Sequence, residues 1–529
     1  MSRWFFGRCG EALGKAAWAV ALMLALTGCA VTQERGEAEE PDRGQFTLFL
    51  NGPDKVSVDV ALKVDAINVV AEDGSALGVV VSPVEINSVE MAGRQKLLGE
   101  TYLPEGKYRK LQLVVSEATV TRAGRKANLS LPPEGIELAI NVSVERGQNT
   151  TLFLIWDADA SVAEGYRFHP AFAARGERPE LASLLVFVTN EGSGNVSVIN
   201  RQLGEVVATV KAERRPRGIA VGLLLDHPRV YVANSGSNSI SVIDPATNRA
   251  EASIPVRFGN APEGIAVARV SEDSELIFVA NYASNSVSVV DPLTYEEIEN
   301  VRVGNGPVAV AADPPSENFQ VSQFLDAQDI ELLRSFRERF FNVYVANSIS
   351  RDVSVLKVNR QSRKVEDVAT IGVDWNPIAL SVDAVRGRLY VANYDSDKLS
   401  IISIPQVIRN NLSGAVSTIS DLDTTGTGVI ADPSLDRLYF LVRDTERIAL
   451  IRLTPEFLAP GRLTLTPVVG SIAVGASPRS MAMDPEGRKI YVVNRGSDSV
   501  SVIDKTTGRR ESVVPVGRNP YGVAMFPEM

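Results

Sequence analysis

Residues 230–244 read VYVANSGSNSISVID, and residues 490–504 read IYVVNRGSDSVSVID. In both stretches, two runs of alternating apolar residues flank a turn of small residues, which is typical of paired antiparallel strands. The first five letters follow one pattern: hydrophobic, aromatic, hydrophobic, small and Asn. The pattern occurs at Val186–Asn190, Val230–Asn234, Ile277–Asn281, Val343–Asn347, Leu389–Asn393, Leu438–Val442 and Ile490–Asn494. Only the sixth copy ends differently, in Val442.

The copies are 44 to 52 residues apart, except for the 66 residues between Asn281 and Asn347. A period of this length indicates a propeller or a solenoid. One unit contains four strand-like segments in order: GIAV, VYVAN, SISVID and EASIPV. Four short strands separated by turn residues form the repeating sheet of a propeller.

These segments resemble the YVTN-type β-propeller repeat over residues 176–529. The resemblance implies an all-β fold with seven blades, but no single function, because propellers carry many activities. The array begins on a second strand at Leu185 and ends on a first strand, GVAM, at residues 522–525. We therefore predict that the C-terminal strand completes the first blade and closes the ring, leaving no open sheet edge.

Inside the repeat, the polar residues are expected to be structural. The Asn at the end of each second strand can cap the following loop with its own side chain. Serines on the third strand suit a strand face that is exposed to solvent.

The long spacing in the fourth unit is explained by an insertion at about residues 314–341, which contains SQFLDAQDIELLRSFRERFF. Its apolar residues recur at helical spacing, which predicts an amphipathic helix. The helix either packs against the propeller on the side opposite the channel mouth, or forms a docking surface for the N-terminal domain or a partner.

Residues 45–175 alternate with period two between Gly, Pro and Asn turns, which predicts a separate β-sandwich. Three stretches resemble a family of N-terminal domains of unknown function in bacterial lipoproteins: residues 50–69 (LNGPDKVSVDVALKVDAINV), 103–108 (LPEGKY) and 165–170 (GYRFHP). This resemblance implies no known activity.

Residues 1–28 have the pattern of a signal peptide, with a basic start and a short apolar run. The segment LTGC at residues 26–29 resembles the bacterial lipobox, which implies cleavage before Cys29 and attachment of lipid to it. The alternative is an ordinary signal peptide followed by a chance Cys. The residue after the Cys is Ala30 and not Asp, which, by resemblance to lipoproteins of Gram-negative bacteria, implies the outer membrane, on its periplasmic or surface face. The polar residues 29–44 are predicted to be a flexible tether.

The net charge of −10 makes the chain a poor partner for nucleic acid. The chain has two Cys and two His, His169 and His227, which fall in different predicted domains. No Cys-x-x-Cys-His motif is present, so neither haem nor a His-based metal site is expected. We expect no cofactor and a monomer.

One stretch matches part of a calcium loop, with Asp421, Asp423 and Asp432 at the acidic positions and Gly426 at the sixth. It has no flanking helix pattern and a first-strand segment runs through it. The alternative is that this stretch is a loop that binds no metal ion.

The best binding candidates lie in the Pro-x-Gly loops that lead into each first strand, because those loops converge at the mouth of a propeller channel. These candidates are Arg217, Glu263, Trp375, Arg479 and Tyr521. Aromatic residues beside arginines suit a sugar, an aromatic group or an anion. The alternative is loop packing and solvated charge.

Three functions follow from these patterns. The first is a lipid-anchored envelope protein whose propeller binds a protein, glycan or small ligand. The second is a lactonase-like hydrolase that uses acids and arginines at the mouth, although the scarcity of His weakens it. The third is an envelope scaffold or assembly factor. A tight cluster of acids and arginines with one buried acid favours the enzyme, whereas a broad apolar patch favours a protein partner.

Overall fold

The computed structural model describes residues 42–133, 135–224, 227–314, 324–420, 422, 425–453 and 468–526. The signal segment, Cys29 and most of the tether lie outside these residues. Strands dominate, so the all-β prediction is confirmed. The described helices are α1 (Ser88–Met91), α2 (Ala327–Arg339), α3 (Ile404–Ile408) and three 3-10 turns, Ala182–Leu184, Leu412–Gly414 and Pro433–Leu435. None of these helices has the length and apolar character needed to cross a membrane.

The described residues of the N-terminal part, 42–133 and 135–176, contain twelve strands. They are β1 (Arg43–Asn51), β2 (Asp59–Ala71), β3 (Ala76–Val80), β4 (Val84–Asn87), β5 (Gln95–Pro104), β6 (Gly106–Arg122), β7 (Arg125–Asn128), β8 (Ile136–Val144), β9 (Asn149–Trp156), β10 (Val162–Ala163), β11 (Arg167–Phe168) and β12 (Phe172–Gly176). One sheet has the order β12-β9-β1-β5, and a second is built on β3-β2-β6-β7. Side chains from both sheets, such as Leu48 and Leu111, share one buried core.

Seven four-stranded sheets follow among the described residues from Leu185 onward, and we number them sheets 1 to 7. Sheets 1 to 3 contain β13 (Leu185–Asn190), β14 (Asn195–Asn200) and β15 (Glu205–Lys211); β16 (Pro216–Leu224), β17 (His227–Asn234), β18 (Ser239–Asp244) and β19 (Arg249–Pro255); and β20 (Pro262–Ser271), β21 (Ser274–Asn281), β22 (Ser286–Asp291) and β23 (Glu296–Arg302).

Sheets 4 to 7 have the same order. They contain β24 (Pro307–Ala312), β25 (Phe340–Asn347), β26 (Asp352–Asn359) and β27 (Val365–Gly372); β28 (Pro377–Asp383), β29 (Arg388–Asn393), β30 (Leu399–Ser403) and β31 (Val416–Ile419); β32 (Gly426–Asp432), β33 (Arg437–Val442), β34 (Arg447–Arg452) and β35 (Val468–Ala473); and β36 (Pro478–Met483), β37 (Lys489–Asn494), β38 (Ser499–Asp504) and β39 (Arg509–Pro515).

The last strand, β40 (Pro520–Met525), joins sheet 1 as its innermost strand and pairs antiparallel with β13. Phe526 packs edge-on against Phe187, with 5.9 Å between ring centroids. Each innermost strand contacts the next one, from β16 through β20, β24, β28, β32 and β36 to β40, which contacts β16. The arrangement is therefore propeller-like. We call the end at which the innermost strands begin the mouth face.

The Asn residues of the repeat are buried and bond to the third strand of their own sheet. Asn234 Nδ2 donates to Ser239 Oγ at 3.1 Å and to Ser241 Oγ at 2.9 Å. Equivalent bonds are made by Asn190, Asn281, Asn347, Asn393 and Asn494. The expectation of solvent-exposed serines was wrong, because Ser239 and Ser241 lie in the interior, where they satisfy the buried amide.

Two glycines pass directly over these Asn side chains. A Cβ atom on Gly475 would lie 2.6 Å from Asn494, and one on Gly517 would lie 2.7 Å from Asn190. Gly475 N–H also donates to Asn494 Oδ1 at 3.0 Å. Glycine is needed here because the backbone approaches the amide too closely for any side chain.

The predicted insertion contains helix α2, while residues 315–323 lie outside the described part. Asp326 caps the helix, and Leu333 is buried among residues of sheets 4 and 5. Helix α2 also contacts α3. Helix α2 thus packs against sheets 4 and 5, next to the point at which it is inserted. The N-terminal part contacts sheets 1 and 7, and its Glu145 pairs with Arg249 of sheet 2 at 2.5 Å. Docking of the N-terminal domain or a partner on the insertion stays a prediction.

The junction between the two parts is apolar at its centre. Phe49 and Phe153 stack with 5.7 Å between centroids and pack with Val206 and Val514 of the neighbouring sheets. Around them, polar side chains bridge the junction; for example, Asn149 Nδ2 donates to the Thr209 carbonyl at 2.9 Å. The junction therefore has a buried centre and a hydrogen-bonded rim.

Candidate functional site

A β-bulge occurs at the start of every innermost strand. In each sheet, the first residue pairs with the last residue of the second strand, and the register then shifts. A bulge turns the side chain of the extra residue away from the regular pleat. The second residues of the seven strands, which we call the mouth ring, are Arg217, Glu263, Val308, Ile378, Thr427, Arg479 and Tyr521.

The mouth ring is chemically divided. Arg479, Tyr521, Arg217 and Glu263 belong to consecutive sheets, and Val308, Ile378 and Thr427 occupy the rest of the ring. A cavity of about 210 Å³ lies inside, lined by Glu263, Arg479 and Tyr521 on one side and by Val308 and Thr427 among others. One half of the mouth therefore carries charge, and the other half offers apolar contact.

The charged half is held together by Tyr521. Arg479 Nη2 donates to Tyr521 Oη at 2.7 Å, and Tyr521 Oη donates to Glu263 Oε2 at 3.3 Å. Arg217 forms an ion pair with Glu263. The guanidinium carbons of Arg479 and Arg217 lie 4.5 Å and 5.2 Å from the centre of the Tyr521 ring. Four of the five predicted residues are thus brought together.

Three residues of this site were missed from the sequence. Glu191 accepts from Arg217 at 2.7 Å, from Arg215 at 3.0 Å and from Arg495 at 2.6 Å. Glu191 and Arg495 each follow a repeat Asn directly. The residue after the repeat Asn varies from copy to copy as strongly as the x of Pro-x-Gly. That variation could have marked Glu191 and Arg495 as candidates. We call Glu191, Arg215, Arg217, Glu263, Arg479, Arg495 and Tyr521 the mouth cluster.

The mouth cluster has four guanidinium groups and two carboxylates, so it carries excess positive charge on an acidic chain. Burial opposes ionisation of Glu191, but Arg217 and Arg495 outweigh it and lower the pKa of Glu191 to about 2. At Glu263, burial outweighs the attraction of Arg217 and raises the pKa of the carboxyl. The two acids are therefore distinct: Glu191 is a fixed anion, and Glu263 gains a proton more readily than an ordinary glutamate.

Trp375 is not in the mouth ring. It lies two residues before the first residue of β28, and Ile378 occupies the ring position in sheet 5. The predicted residue is three positions away from the ring here, because in DWNPIA the residue after Pro377 is Ile378, and Trp375 precedes the proline. Trp375 is 51% exposed on the mouth face, and Arg351 lies over its ring. Its predicted ligand contact stays a prediction.

The weak calcium candidate gains nothing from the structure. Asp421 and Asp423 lie outside the described residues. Asp432 pairs with Lys505 Nζ at 2.7 Å and accepts from the backbone N–H of Ser434 at 3.1 Å. Among the residues that the structure describes, no group of three or more His, Cys, Asp and Glu is placed to hold a metal ion.

A larger cavity of about 850 Å³ lies elsewhere, between the N-terminal part and sheets 1 and 7. Two of the four cations in its lining form ion pairs: Lys489 pairs with Glu511 at 2.7 Å, and Arg201 pairs with Glu486 at 2.6 Å. The mouth cluster is the stronger candidate despite its smaller cavity, because its guanidinium groups exceed its carboxylates by two. The cations that line the larger cavity exceed its acids by one, since Arg94, Arg201, Lys489 and Arg510 face Glu205, Asp498 and Glu511.

Comparison with known proteins adds one domain match. Residues 43–170 match the family described as a domain of unknown function, DUF4382. A curated relative, the PE-PGRS family protein PE_PGRS18 of Mycobacterium tuberculosis, is 46% identical over 56 residues. That alignment covers 11% of this chain and 11% of the relative.

Solved structures with similar architecture are distant. Hydrazine synthase from Kuenenia stuttgartiensis is 19% identical, with a TM-score of 0.47 over 61% of this chain and 92% of its own. A protein of unknown function from Desulfotomaculum acetoxidans is 11% identical, with a TM-score of 0.49 over 65% and 99%. A Bacteroides uniformis protein proposed to be a 6-phosphogluconolactonase is 17% identical, with a TM-score of 0.47 over 65% and 99%. The propeller-like fold accordingly rests on the strand pairings described above.

Proposed function

We propose that this chain is a ligand-binding protein whose seven sheets form a seven-bladed β-propeller behind an N-terminal β-sandwich, and that its mouth cluster binds a small anionic ligand. The single observation that carries the proposal is the excess of guanidinium groups over carboxylates at the mouth. Such an excess on a chain of net charge −10 concentrates positive potential at one place.

Arg479 is the arginine best placed to meet the ligand. It lines the mouth cavity, and its guanidinium donates to Tyr521. Within the described residues it forms no ion pair at 4.0 Å or less, although its charge acts on Glu263 and favours the ionised carboxylate. The Tyr521 ring and hydroxyl hold one side of the guanidinium, so its other N–H groups can donate to a carboxylate or phosphate. The other arginines, held by Glu191, provide the surrounding positive field.

The test is calorimetric titration of the full chain with inorganic phosphate, citrate and sugar phosphates. We expect at least one anion to bind, and Arg479→Gln to weaken it by about tenfold or more, since a charge-assisted hydrogen bond is lost. Arg125→Gln, an exposed arginine of β7, is the matched control and should bind normally. If no anion binds, or if Arg479→Gln binds as well as the parent, the proposal is wrong.

A hydrolase is the second candidate, and one observation favours it. Glu263 is 5% exposed, lines the cavity, has a raised pKa and accepts a hydrogen bond from Tyr521. A carboxyl group of this kind can act as a general acid or base. The test is hydrolysis of a panel of δ-lactones: Glu263→Gln should abolish any rate while anion binding persists. A parent chain that gives only the uncatalysed rate eliminates this candidate.

Membrane attachment is also proposed, on the sequence of the first 29 residues alone. Lipid on Cys29 would hold the protein at the bacterial envelope, on the outer membrane if the cell is Gram-negative, where an envelope protein, a glycan or a small ligand would be its partner. An envelope scaffold or assembly factor remains a further candidate. Cys29→Ser should move the protein to the soluble fraction, and continued retention in membranes would refute the anchor.

A further inference from the structure

A second group of side chains lies on the mouth face, across from the mouth cluster. It consists of Phe258, Tyr282, Ile349 and Trp375, which are 68%, 38%, 59% and 51% exposed, and we call it the aromatic arc. All four residues are in loops that enter an innermost strand or join the second and third strands of sheets 3 to 5. Those loops leave the sheets at the same end as the mouth ring.

Backbone hydrogen bonds hold the loops of the aromatic arc together. The N–H of Tyr282 donates to the carbonyl of Ala261 at 3.0 Å, in the loop that carries Phe258. In sheet 4, the N–H of Ile349 donates to the carbonyl of Asn305 at 3.1 Å. The arc therefore lies on loops that are tied to the sheets.

Trp375 is presented in a defined orientation. Its backbone N–H donates to Asp374 Oδ1 at 2.8 Å, and Arg351 covers one face of the indole. The residue after it, Asn376, has φ of 52°, a left-handed conformation that forces a sharp turn. The indole is thus fixed on one side and open to solvent on the other, as a stacking platform requires.

The aromatic arc is not a continuous apolar patch. Polar residues adjoin its members in the same loops: Asn260, Ser284 and Asn305 are exposed, and Ser350 and Asn376 are half-buried. A protein partner would favour contiguous apolar area. Isolated rings between polar groups suit a sugar, which has an apolar C–H face to stack on an aromatic ring and hydroxyl groups at its edge.

We infer that the mouth face binds an acidic oligosaccharide, whose sugar rings stack on the aromatic arc and whose carboxylates pair with the mouth cluster. A cavity of about 210 Å³ is below the size that holds a drug-sized ligand. A ligand that reaches both groups must therefore extend across the face. This inference rests on the proposed function, since both use the arginines of the mouth cluster.

The test compares three probes on the full chain by calorimetry: hexagalacturonate, hexaglutamate with the same number of side-chain carboxylates, and the neutral maltohexaose. We expect hexagalacturonate to bind tightest. Trp375→Ala and Tyr282→Ala should each weaken it roughly two- to tenfold, as loss of a stacked ring does, and leave phosphate binding unchanged. Tyr166→Ala, an exposed tyrosine of the N-terminal part, is the control and should have no effect.

Tryptophan fluorescence gives a second readout. Trp156 is buried in the N-terminal core, and Trp375 is the exposed tryptophan of the described residues. Hexagalacturonate should therefore change the emission of the parent chain, and Trp375→Phe should lose that change while keeping most of the affinity. If hexaglutamate binds as tightly as hexagalacturonate, or if neither aromatic variant weakens the sugar, the inference is wrong while anion binding stands. If phosphate and both acidic probes fail to bind, the proposed function itself fails.

Discussion

The side-chain amide of Gln95 forms a pair of hydrogen bonds with the backbone of Val206. Its Nε2 donates to the Val206 carbonyl at 3.0 Å, and its Oε1 accepts the Val206 N–H at 3.0 Å. A side chain of the N-terminal part thereby mimics a neighbouring strand and satisfies an edge of β15. Gln95 is buried, so both backbone groups depend on it.

We predict that Gln95→Ala destabilises the junction by about 1–3 kcal/mol, because it leaves a buried N–H and a buried C=O without partners. Faster proteolysis of the linker 177–184 and a lower Tm are the measurements. Gln112→Ala is the matched control, since that half-buried side chain donates to Glu137 of its own sheet and lies away from the junction. Equal proteolysis rates for the two variants would contradict the role of Gln95.

The sixth sheet lacks the hydrogen bond between the repeat Asn and the third strand, so it can be used to measure what that bond contributes to stability. There, Val442 replaces Asn, and Arg447 and Ala449 stand where the other sheets carry a partner for the amide. Val442→Asn should cost about 1–3 kcal/mol in the free energy of unfolding, because its amide would be buried without a partner. The double variant Val442→Asn with Ala449→Ser should recover part of that loss.

Chemical denaturation measures this cycle, with Ala449→Ser alone as the control. A double variant no more stable than the sum of the single changes would show that the Asn–Ser bond contributes nothing to stability.

Closure of the ring by β40 predicts that the residues of this strand and Phe526 stabilise all seven sheets. Phe526→Ala should lower the free energy of unfolding by about 3–5 kcal/mol, because a fully buried ring is removed. Deleting residues 521–529 should expose the inner edge of β13 and give an aggregating or protease-sensitive chain. Size-exclusion chromatography and the Tm report this; a monomeric deletion variant with the parent Tm would refute closure.

The raised pKa of Glu177 predicts that the stability of the junction depends on pH. Burial between Thr151 and the backbone of Thr209 raises the pKa of Glu177 to about 7, above the usual 4.5. The folded state therefore holds a proton that the unfolded state releases, so this carboxyl lowers stability as the pH rises from about 4.5 to 7.

Glu177→Gln removes that charge. Its Tm should differ from that of the parent by a constant amount below about pH 4.5 and rise relative to it up to pH 8. Glu90→Gln, an exposed glutamate of α1, serves as the control. A constant difference between Glu177→Gln and the parent across this range would rule out the titration.

Much of the fold follows from local patterns. The repeat letters place the second strands, such as Val230–Asn234, because alternation and turn residues act over a few positions. The buried state of Ser241 was not predictable in this way. A serine that alternates with apolar residues usually indicates a strand face that is exposed to solvent. Ser241 is buried because neighbouring sheets stack on both sides of its own sheet.

Part of the site was predictable from the sequence because it is marked by a local motif. Glu263 and Tyr521 could be assigned because Pro-x-Gly marks their bulges. Glu191 and Arg495 lie on a different loop, and a one-dimensional pattern does not show that two loops meet at one mouth. Trp375 was misplaced because register at a bulge depends on strand pairing.

The strand that completes sheet 1 also sets the order in which the chain can fold. Gly522 and Thr189, which share a hydrogen bond, are 333 residues apart. Contacts of such separation form slowly, and a nascent chain reaches them last. Until residues 520–525 leave the ribosome, β13 has an unsatisfied inner edge. A stop codon or a proteolytic cut near the C-terminus would therefore affect this protein as a folding defect, well before it affected any ligand.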